Sequence, residues 1–592
     1  MNNPNNNKIA LLRQFMKEHN LQAFIIPTTD PHLSEYPAAH WESRMWISGF
    51  TGSAGIVVIT MDKAGLWTDS RYFLQAESEL AGSEIKLFKA RLPETPLIPD
   101  WLTDELSNGD NVGIDGKVYA AKEAQDLIRI LTPKGISVIN STDPFDSIWA
   151  ERPDIPKGKA FIHPEKYTGE SAKEKIVRIA DSIEKTGADS LLVSTLDTIA
   201  WIFNLRGNDV IYNPVVVSYA YVSRTETILF IDSYKLDDTI QTYLKEQGVT
   251  VKPYDEIYSF AQTLKGSVCI DSNKISYSLY NAIPKHCRIV DMLSPADLMK
   301  SIKNDVETEG FGRAMVRDGV ALVHFFRWLE AAVPKGMVTE YNIGKKLVEY
   351  RSKQENFAGE SFCTIAGYAA NGALNHYHPT ADNCLSVKAV GLLLIDSGAQ
   401  YLDGTTDITR TVAVGAVSDD MKRDYTLVLK GHIGLASAVF PQGTRGSQID
   451  ILARQAMWKE GINFLHGTGH GIGHYLSVHE GPHSIRPEIN PVNIYIGMIT
   501  SNEPGIYRDN KYGVRTENLM RTQLYKKTEF GDFYSFETIT LCPIDTTPII
   551  KEMLTDDEVT WLNNYHTEVY NKLSPYLEDA ETEWLKAKTQ PI

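Results

Sequence analysis

Asp396, Asp407, His470, Glu503 and Glu517 stand in that order in the last third of the chain, each in a short motif ill suited to a surface loop. Asp396 closes the aliphatic run Leu392-Leu393-Leu394-Ile395 and precedes Ser397-Gly398. Asp407 lies in the next strand-like run, Asp403-Gly404-Thr405-Thr406-Asp407-Ile408-Thr409-Arg410. His470 is embedded among glycines between His466 and His474. Glu503 precedes Pro504-Gly505, and Glu517 stands in Val514-Arg515-Thr516-Glu517-Asn518. A single acid at a strand end is ordinarily solvated and decides nothing. Four carboxylates drawn into one core are different, because they repel unless cations lie between them. The chain must therefore fold so that these five side chains reach one buried place.

Apolar periodicity predicts two long helices, about 305–331 and 340–354, the first stopped by Pro334-Lys335-Gly336. The runs bearing Asp396 and Asp407 follow. Two more helix patterns, about 419–438 and 446–460, precede the runs bearing His470, Glu503 and Glu517. Helix–helix–strands thus occurs twice, with a carboxylate pair late in each copy, spaced eleven and fourteen residues apart. A pseudo-symmetric domain over 303–592 would set the two pairs face to face. An oxygen-rich set with one imidazole suits two hard divalent cations, Mn²⁺ first, with Co²⁺ or Zn²⁺ as substitutes. Two such ions about 3.5–4 Å apart hold a hydroxide and clamp a tetrahedral oxyanion, which predicts a hydrolase.

Upstream, one α/β series occurs twice. A helix over 8–20 leads to the strand-like Ala23-Phe24-Ile25-Ile26, then Trp46-Ile47-Ser48-Gly49, Ile56–Ile59 and Leu66–Arg71. Later, Ser171 and Glu174 form a capping box for a helix with Ile176, Ile179 and Ile183, stopped at Gly187. Strand candidates at Ser190–Ser194, Pro214–Val217 and Leu229–Ser233 follow, with Trp201–Gly207 between the first two. Two copies of one α/β domain are expected, over 1–155 and 156–302, joined by the Pro- and charge-rich segment 151–158.

A formal net charge of −16 argues against nucleic acid as a partner, since phosphate binding needs a basic face. Five scattered cysteines without a CxxC pair suit a reducing compartment rather than a disulfide framework. The polar start Met1–Lys8 is not a signal-peptide core, and no run of eighteen apolar residues occurs, so a cytoplasmic, membrane-free protein is expected.

Histidines crowd the same region: His376, His378, His432, His466, His470, His474, His479 and His483. His376 and His479 lie in turn-like segments and suit donation to an oxyanion or seating of a substrate. His432 falls in a helix pattern and is read as structural. His479-Glu480-Gly481-Pro482-His483 matches H-E-x-x-H literally, but Gly-Pro would break the helix that motif requires. The run 467–473 spaces its glycines as G-x-G-x-G-x-G, which is no dinucleotide fingerprint and rather lets backbone pass close to the site. Arg515 alternates with Glu517 along a strand-like run and so shares its face, where it either offsets surplus carboxylate charge or is an ordinary surface arginine; it is also taken as a substrate-binding candidate.

These motifs resemble the pita-bread metallopeptidases, which include methionine aminopeptidases, prolidases and aminopeptidase P. That family's ligand order, Asp, Asp, His, Glu, Glu, falls on Asp396, Asp407, His470, Glu503 and Glu517. The chain is most similar to the three-domain cytosolic Xaa-Pro aminopeptidases, in Leu394–Tyr401, Asp403–Arg410, His466–Gly473, Trp67-Thr68-Asp69, Arg71–Gln75, Phe203–Gly207 and Thr589-Gln590-Pro591-Ile592. The resemblance implies two creatinase-like α/β domains ahead of a pita-bread catalytic domain. It also implies two Mn²⁺ ions, a homodimer built through the catalytic domain, and removal of an N-terminal residue when proline stands second. Attack on the scissile carbonyl would come from a metal hydroxide, with Glu503 accepting a proton. The family's substrate-binding and catalytic histidines fall on His376, His466 and His479, of which His479 and His376 would support the oxyanion and the proline. His378, beside His376, departs from the pattern as an extra imidazole. Two alternatives stay open. One is a prolidase, against which the second α/β copy weighs. The other is a non-catalytic peptide-binding protein, which would not need five ligands.

Overall fold

Asn3 accepts a hydrogen bond from the Asn5 amide and Pro4 follows at the first helical position, so helix α1 (Pro4–Glu18) begins before the apolar stripe does. The computed structural model describes residues 3–592; Met1 and Asn2, the first residues of the polar start, lie outside the described residues. The stripe Ile9, Leu12 and Met16 packs on one face of a six-stranded sheet, against Phe24, Ile26, Val57, Ile59 and Leu66. The other face buries Ile25, Val58, Val112 and Ile114. The strands are β1 (Ala23–Ile26), β2 (Ile56–Thr60), β3 (Ala64–Thr68), β4 (Ile85–Lys89), β5 (Asn111–Asp115) and β6 (Ser137–Ser141), in spatial order β4-β3-β2-β1-β5-β6.

Helix α2 (Ala172–Lys185) opens with the expected Ser171–Glu174 capping box and begins a second copy. Its strands are β7 (Ser190–Val193), β8 (Tyr219–Ser223), β9 (Thr227–Phe230), β10 (Val249–Lys252), β11 (Ser267–Ile270) and β12 (Arg288–Asp291), in order β10-β9-β8-β7-β11-β12. Both sheets alternate parallel and antiparallel pairs identically: the two pairs leading outward from β1 and from β7 through β2–β3 and β8–β9 are antiparallel, the other three parallel. The strand expected at Pro214–Val217 does not form. Its Val217 amide donates to Asp209 Oδ2 at 2.8 Å instead of to a neighbouring strand, and pairing starts at Tyr219. The Trp46 run is helical, within Ser43–Ser48. Both sheets belong to one compact unit, residues up to His163 with Glu170–Ala296.

The second unit, Pro164–Gly169 with Asp297–Ile592, repeats helix–helix–strands. Helices α3 (Asp305–Ala332) and α4 (Glu340–Arg351), capped by Asn304 and Thr339, precede the three-stranded sheet β13-β14-β15 (Ile365–Tyr368, Leu392–Ser397 and Ile408–Ala413). Helices α5 (Asp419–Ala436) and α6 (Gly446–Trp458) precede a larger sheet. Its strands are β16 (Val439–Pro441), β17 (Gly469–Gly471), β18 (Glu480–Ile485), β19 (Ile499–Asn502), β22 (Asn518–Thr528) and β23 (Gly531–Thr538), in order β16-β23-β22-β19-β17-β18. A hairpin of β20 (Gly505–Arg508) and β21 (Tyr512–Arg515) stands apart from it. Helix α7 (Asp556–Leu573) closes the core with Leu562, Tyr565, Val569 and Leu573. No helix among the described residues is long and apolar enough to cross a membrane.

Candidate metal centre

Strand β14 is buried along its whole length because antiparallel strands flank it on both sides; Asp396 faces Ile365 of β13 and Thr409 of β15. Asp407 lies immediately before β15 rather than within it. In the other half, β19 and β22 pair antiparallel with Asn502 opposite Asn518. Glu503 follows the first and Glu517 precedes the second, so one ladder end presents both carboxylates. The run containing Arg515 and Glu517 is broken: Arg515 ends β21, and Thr516-Glu517 is a gap before β22. Residue 517 is thereby free to tie the halves together. Its amide donates to Thr409 O at 3.1 Å, and the Thr409 hydroxyl donates to Glu517 Oε2 at 2.7 Å.

His470 is the middle residue of β17, between β18 and β19. Its flanking glycines are sterically required: a Cβ on Gly469 would lie 1.9 Å from Ser501 O, and one on Gly471 2.3 Å from Glu480 O. The His470 Nδ1 lies 3.0 Å from Gly471 O, so a proton on Nδ1 is donated there and the Nε2 lone pair, on the side of the carboxylates, is left for a metal ion. Nε2 is 3.5 Å from Asp407 Oδ2 and from Glu503 Oε1. One ligand atom each from Asp407, His470 and Glu517 lie within 4.8 Å of one another.

The electrostatics are those of a site built around cations. Burial, reinforced by the charges of Asp396 and Glu503, raises the Asp407 carboxyl well above its usual range. Burial and the neighbouring acids do the same to Glu517, and push Glu503 up to about 7. Asp396 Oδ1 and Glu517 Oε1 are buried and receive no hydrogen bond, a costly condition for a carboxylate oxygen. Arg515 supplies one positive charge to four carboxylates, which leaves a deficit that two divalent ions would offset. The residues present therefore fit a pair of metal ions.

Arg515 is 3% exposed in its side chain, and its guanidinium is committed to protein: Nη2 to Asp396 Oδ2 at 2.6 Å, Nη1 to the Tyr507 hydroxyl at 2.8 Å and Nε to Thr409 Oγ1 at 3.0 Å. These contacts turn the guanidinium toward Asp396. Tyr507, which the sequence did not single out, extends the chain, because His466 Nε2 lies 2.9 Å from its hydroxyl. His466, Tyr507, Arg515 and Asp396 thus form one hydrogen-bonded series. The His479 ring stands nearly perpendicular to that of His470, with centroids 4.4 Å apart. His376 is half-buried, and the carbonyl of its neighbour Asn375 lies 3.5 Å from Arg515 Nη2; His378 is exposed.

His432 is buried between Asn502 O and Asn518 Nδ2, at 3.1 Å from each, and burial lowers its pKa to about 3, which suits a structural role. The literal H-E-x-x-H run lies on strand β18, where Glu480 is buried between the ammonium groups of Lys300 and Lys303 and is unavailable as a base.

Comparison with known proteins places this geometry in a class. Residues 309–523 match the metallopeptidase family M24, and residues 532–592 its C-terminal region. Residues 8–148 and 151–307 each match a creatinase/prolidase N-terminal domain. The chain is 42% identical, over 99% of its length and 93% of the relative, to a protein of Laccaria bicolor described as a probable Xaa-Pro aminopeptidase P. A relative of the same description from Coprinopsis cinerea is 41% identical over 99% of this chain and 98% of its own. The crystal structure of an X-prolyl aminopeptidase from Caenorhabditis elegans, described as a cytosolic enzyme with a di-nuclear active site, matches at a TM-score of 0.95 and 33% identity, covering 99% of both chains. The chain belongs to the Xaa-Pro aminopeptidase P family, with two creatinase-type α/β domains ahead of a pita-bread metallopeptidase domain.

Proposed function

We propose that this chain is an aminopeptidase that removes the first residue from peptides with proline in second position. The convergence of Asp407, His470 and Glu517 beside the undonated oxygens of Asp396 and Glu517 carries this assignment. Asp396, Asp407, His470, Glu503 and Glu517 would hold two divalent ions, Mn²⁺ by the hardness of the oxygen donors. When bound, such ions activate water and polarise the scissile carbonyl. Glu503 would also accept a proton at its carboxylate. Arg515 holds Asp396 in place. His479 and His376 support the oxyanion and seat the proline, and His466 is oriented by Tyr507. An Xaa-Pro bond lacks the N–H that strand-binding peptidases use, so a site of dedicated donors suits it.

The same assignment divides the chain at 155/156 and 302/303. It also makes the protein a cytosolic homodimer paired through residues 303–592. Mass spectrometry of products from Ala-Pro-Ala, Ala-Pro and Met-Ala-Ser, with Mn²⁺ and with chelator, tests the activity. Alanine released from the tripeptide and lost with chelator is the expected result. Cleavage of Ala-Pro alone would make the protein a prolidase, and cleavage of Met-Ala-Ser alone a methionine aminopeptidase.

A further inference from the structure

Glu340 is the first residue of α4, behind the Thr339 cap, and its side chain is fully buried. A carboxylate at a helix N-terminus ordinarily faces water and complements the dipole. This one is committed to a single loop. It accepts from the Tyr368 amide at 2.7 Å and the Leu385 amide at 2.6 Å. Asn371 Nδ2 lies 3.1 Å from both of its oxygens, and the Tyr377 hydroxyl lies 3.0 Å from Oε2. These four donors span most of the connection between β13, which ends at Tyr368, and β14, which begins at Leu392.

That connection has only a short 3₁₀ turn, Ala369–Ala373, as regular structure. A segment of this length has many conformations to lose, and one carboxylate gathering its start, middle and end removes most of them. The loop carries His376. On its inner side Asn375 O faces Arg515, the residue that holds Asp396. On its outer side Tyr377 is tied to Glu340. His376 therefore lies between one residue anchored to the candidate metal centre and one anchored to Glu340. The loop backbone also packs directly on β21: a Cβ on Gly513 would lie 1.7 Å from Gly372 O.

We infer that Glu340 is a positioning residue, whose carboxylate fixes the course of residues 369–385 and so holds His376 against the centre. This rests on the assignment of His376 to the substrate. Glu340 is not in contact with the candidate ligands and acts only through the loop.

A double-mutant cycle tests it on full-length, Mn²⁺-loaded protein with Ala-Pro-Ala as substrate. Glu340→Gln keeps the shape but turns one oxygen into an amide donor that meets a donor in either orientation. The expected result is a loss of roughly 10- to 100-fold in kcat/KM, divided between kcat and KM as in His376→Ala, with metal per chain unchanged. The double variant should be no slower than His376→Ala alone. Multiplicative losses, or a Glu340→Gln enzyme at wild-type rate, would overturn the inference. A His376→Ala enzyme at wild-type rate would instead sink the role of His376, and this inference with it. If Glu340→Gln does not fold, Tyr377→Phe removes one donor only; its loss of about 2- to 10-fold should vanish in the His376→Ala background.

Discussion

Arg410 holds the two halves of the catalytic unit together, and its replacement by Met gives a sharp test of how the centre is built. The residue is 2% exposed on β15. Its guanidinium donates to Glu517 O at 2.7 Å, Cys542 O and Asn518 Oδ1 at 2.8 Å, the Tyr565 hydroxyl at 2.9 Å, and Pro543 O and Thr409 O at 3.0 Å. Thr409 O and Cys542 O keep other donors, the Glu517 amide and the Tyr565 hydroxyl. Glu517 O and Pro543 O are the acceptors left most exposed by the change. Methionine fills most of the volume, so the loss is of hydrogen bonds rather than packing. Losing the guanidinium at the buried Glu517 carbonyl and at the part-buried Pro543 carbonyl, which keeps only the Cys542 thiol at 3.7 Å, costs about 1–3 kcal/mol each, and relief of the guanidinium's own desolvation offsets part, leaving about 3 kcal/mol. Hydrogen exchange followed by mass spectrometry reads this locally, on peptides covering 518–528 and 556–573. Exchange about a hundredfold faster than wild type is expected. A change under about threefold would refute the claim that Arg410 anchors the segment bearing Glu517.

Three further outcomes follow from the same geometry. In metal-free protein the raised carboxyls of Asp407, Glu517 and Glu503 hold protons that the unfolded chain releases, so their contribution to stability is full below the unfolded values of 3.8 and 4.5 and falls as pH rises through about 7. The melting temperature of chelated protein should drop between pH 5 and 8 and recover with Mn²⁺, and a flat profile would contradict the clustered carboxylates. Glu480→Ala removes the carboxylate that the buried ammonium groups of Lys300 and Lys303 share and should cost about 3–5 kcal/mol in denaturant unfolding; a cost near zero would mean that this shared ion pair does not support the fold. Tyr507→Phe removes the hydroxyl between His466 and Arg515, and should lower kcat/KM by about 2- to 10-fold with metal retained. Loss of metal in that variant would assign Tyr507 to the centre itself.

Local chemistry was the legible part of this chain. The Ser171–Glu174 capping box, the stop at Gly187 and the paired helices of the catalytic unit rest on contacts a few residues apart, and the structure has them. Asn3-Pro4 was an equally local helix start, hidden by an apolar stripe that begins only at Ile9. Pro214–Val217 has strand composition but joins no sheet, because Pro214 O and Val215 O accept from the Gly207 and Asp209 amides and Asp209 Oδ2 takes the Val217 amide, contacts no periodicity reveals. The residues that support the centre were the least legible. Tyr507 sits on a hairpin, Arg410 in a strand and Glu340 at a helix start, and each matters for what it reaches over long sequence separations. Arg515 shows the same limit, since Asp396, the carboxylate it holds, lies 119 residues away in sequence.

Metal content and turnover measured on the same samples test the central claim most directly. Chelated protein is titrated with Mn²⁺ while bound metal per chain and alanine released from Ala-Pro-Ala are both recorded. Turnover absent without metal and rising to a plateau at about two ions per chain is the predicted result. Full turnover in stripped protein, or stoichiometric metal with no release of alanine, would contradict a dinuclear aminopeptidase.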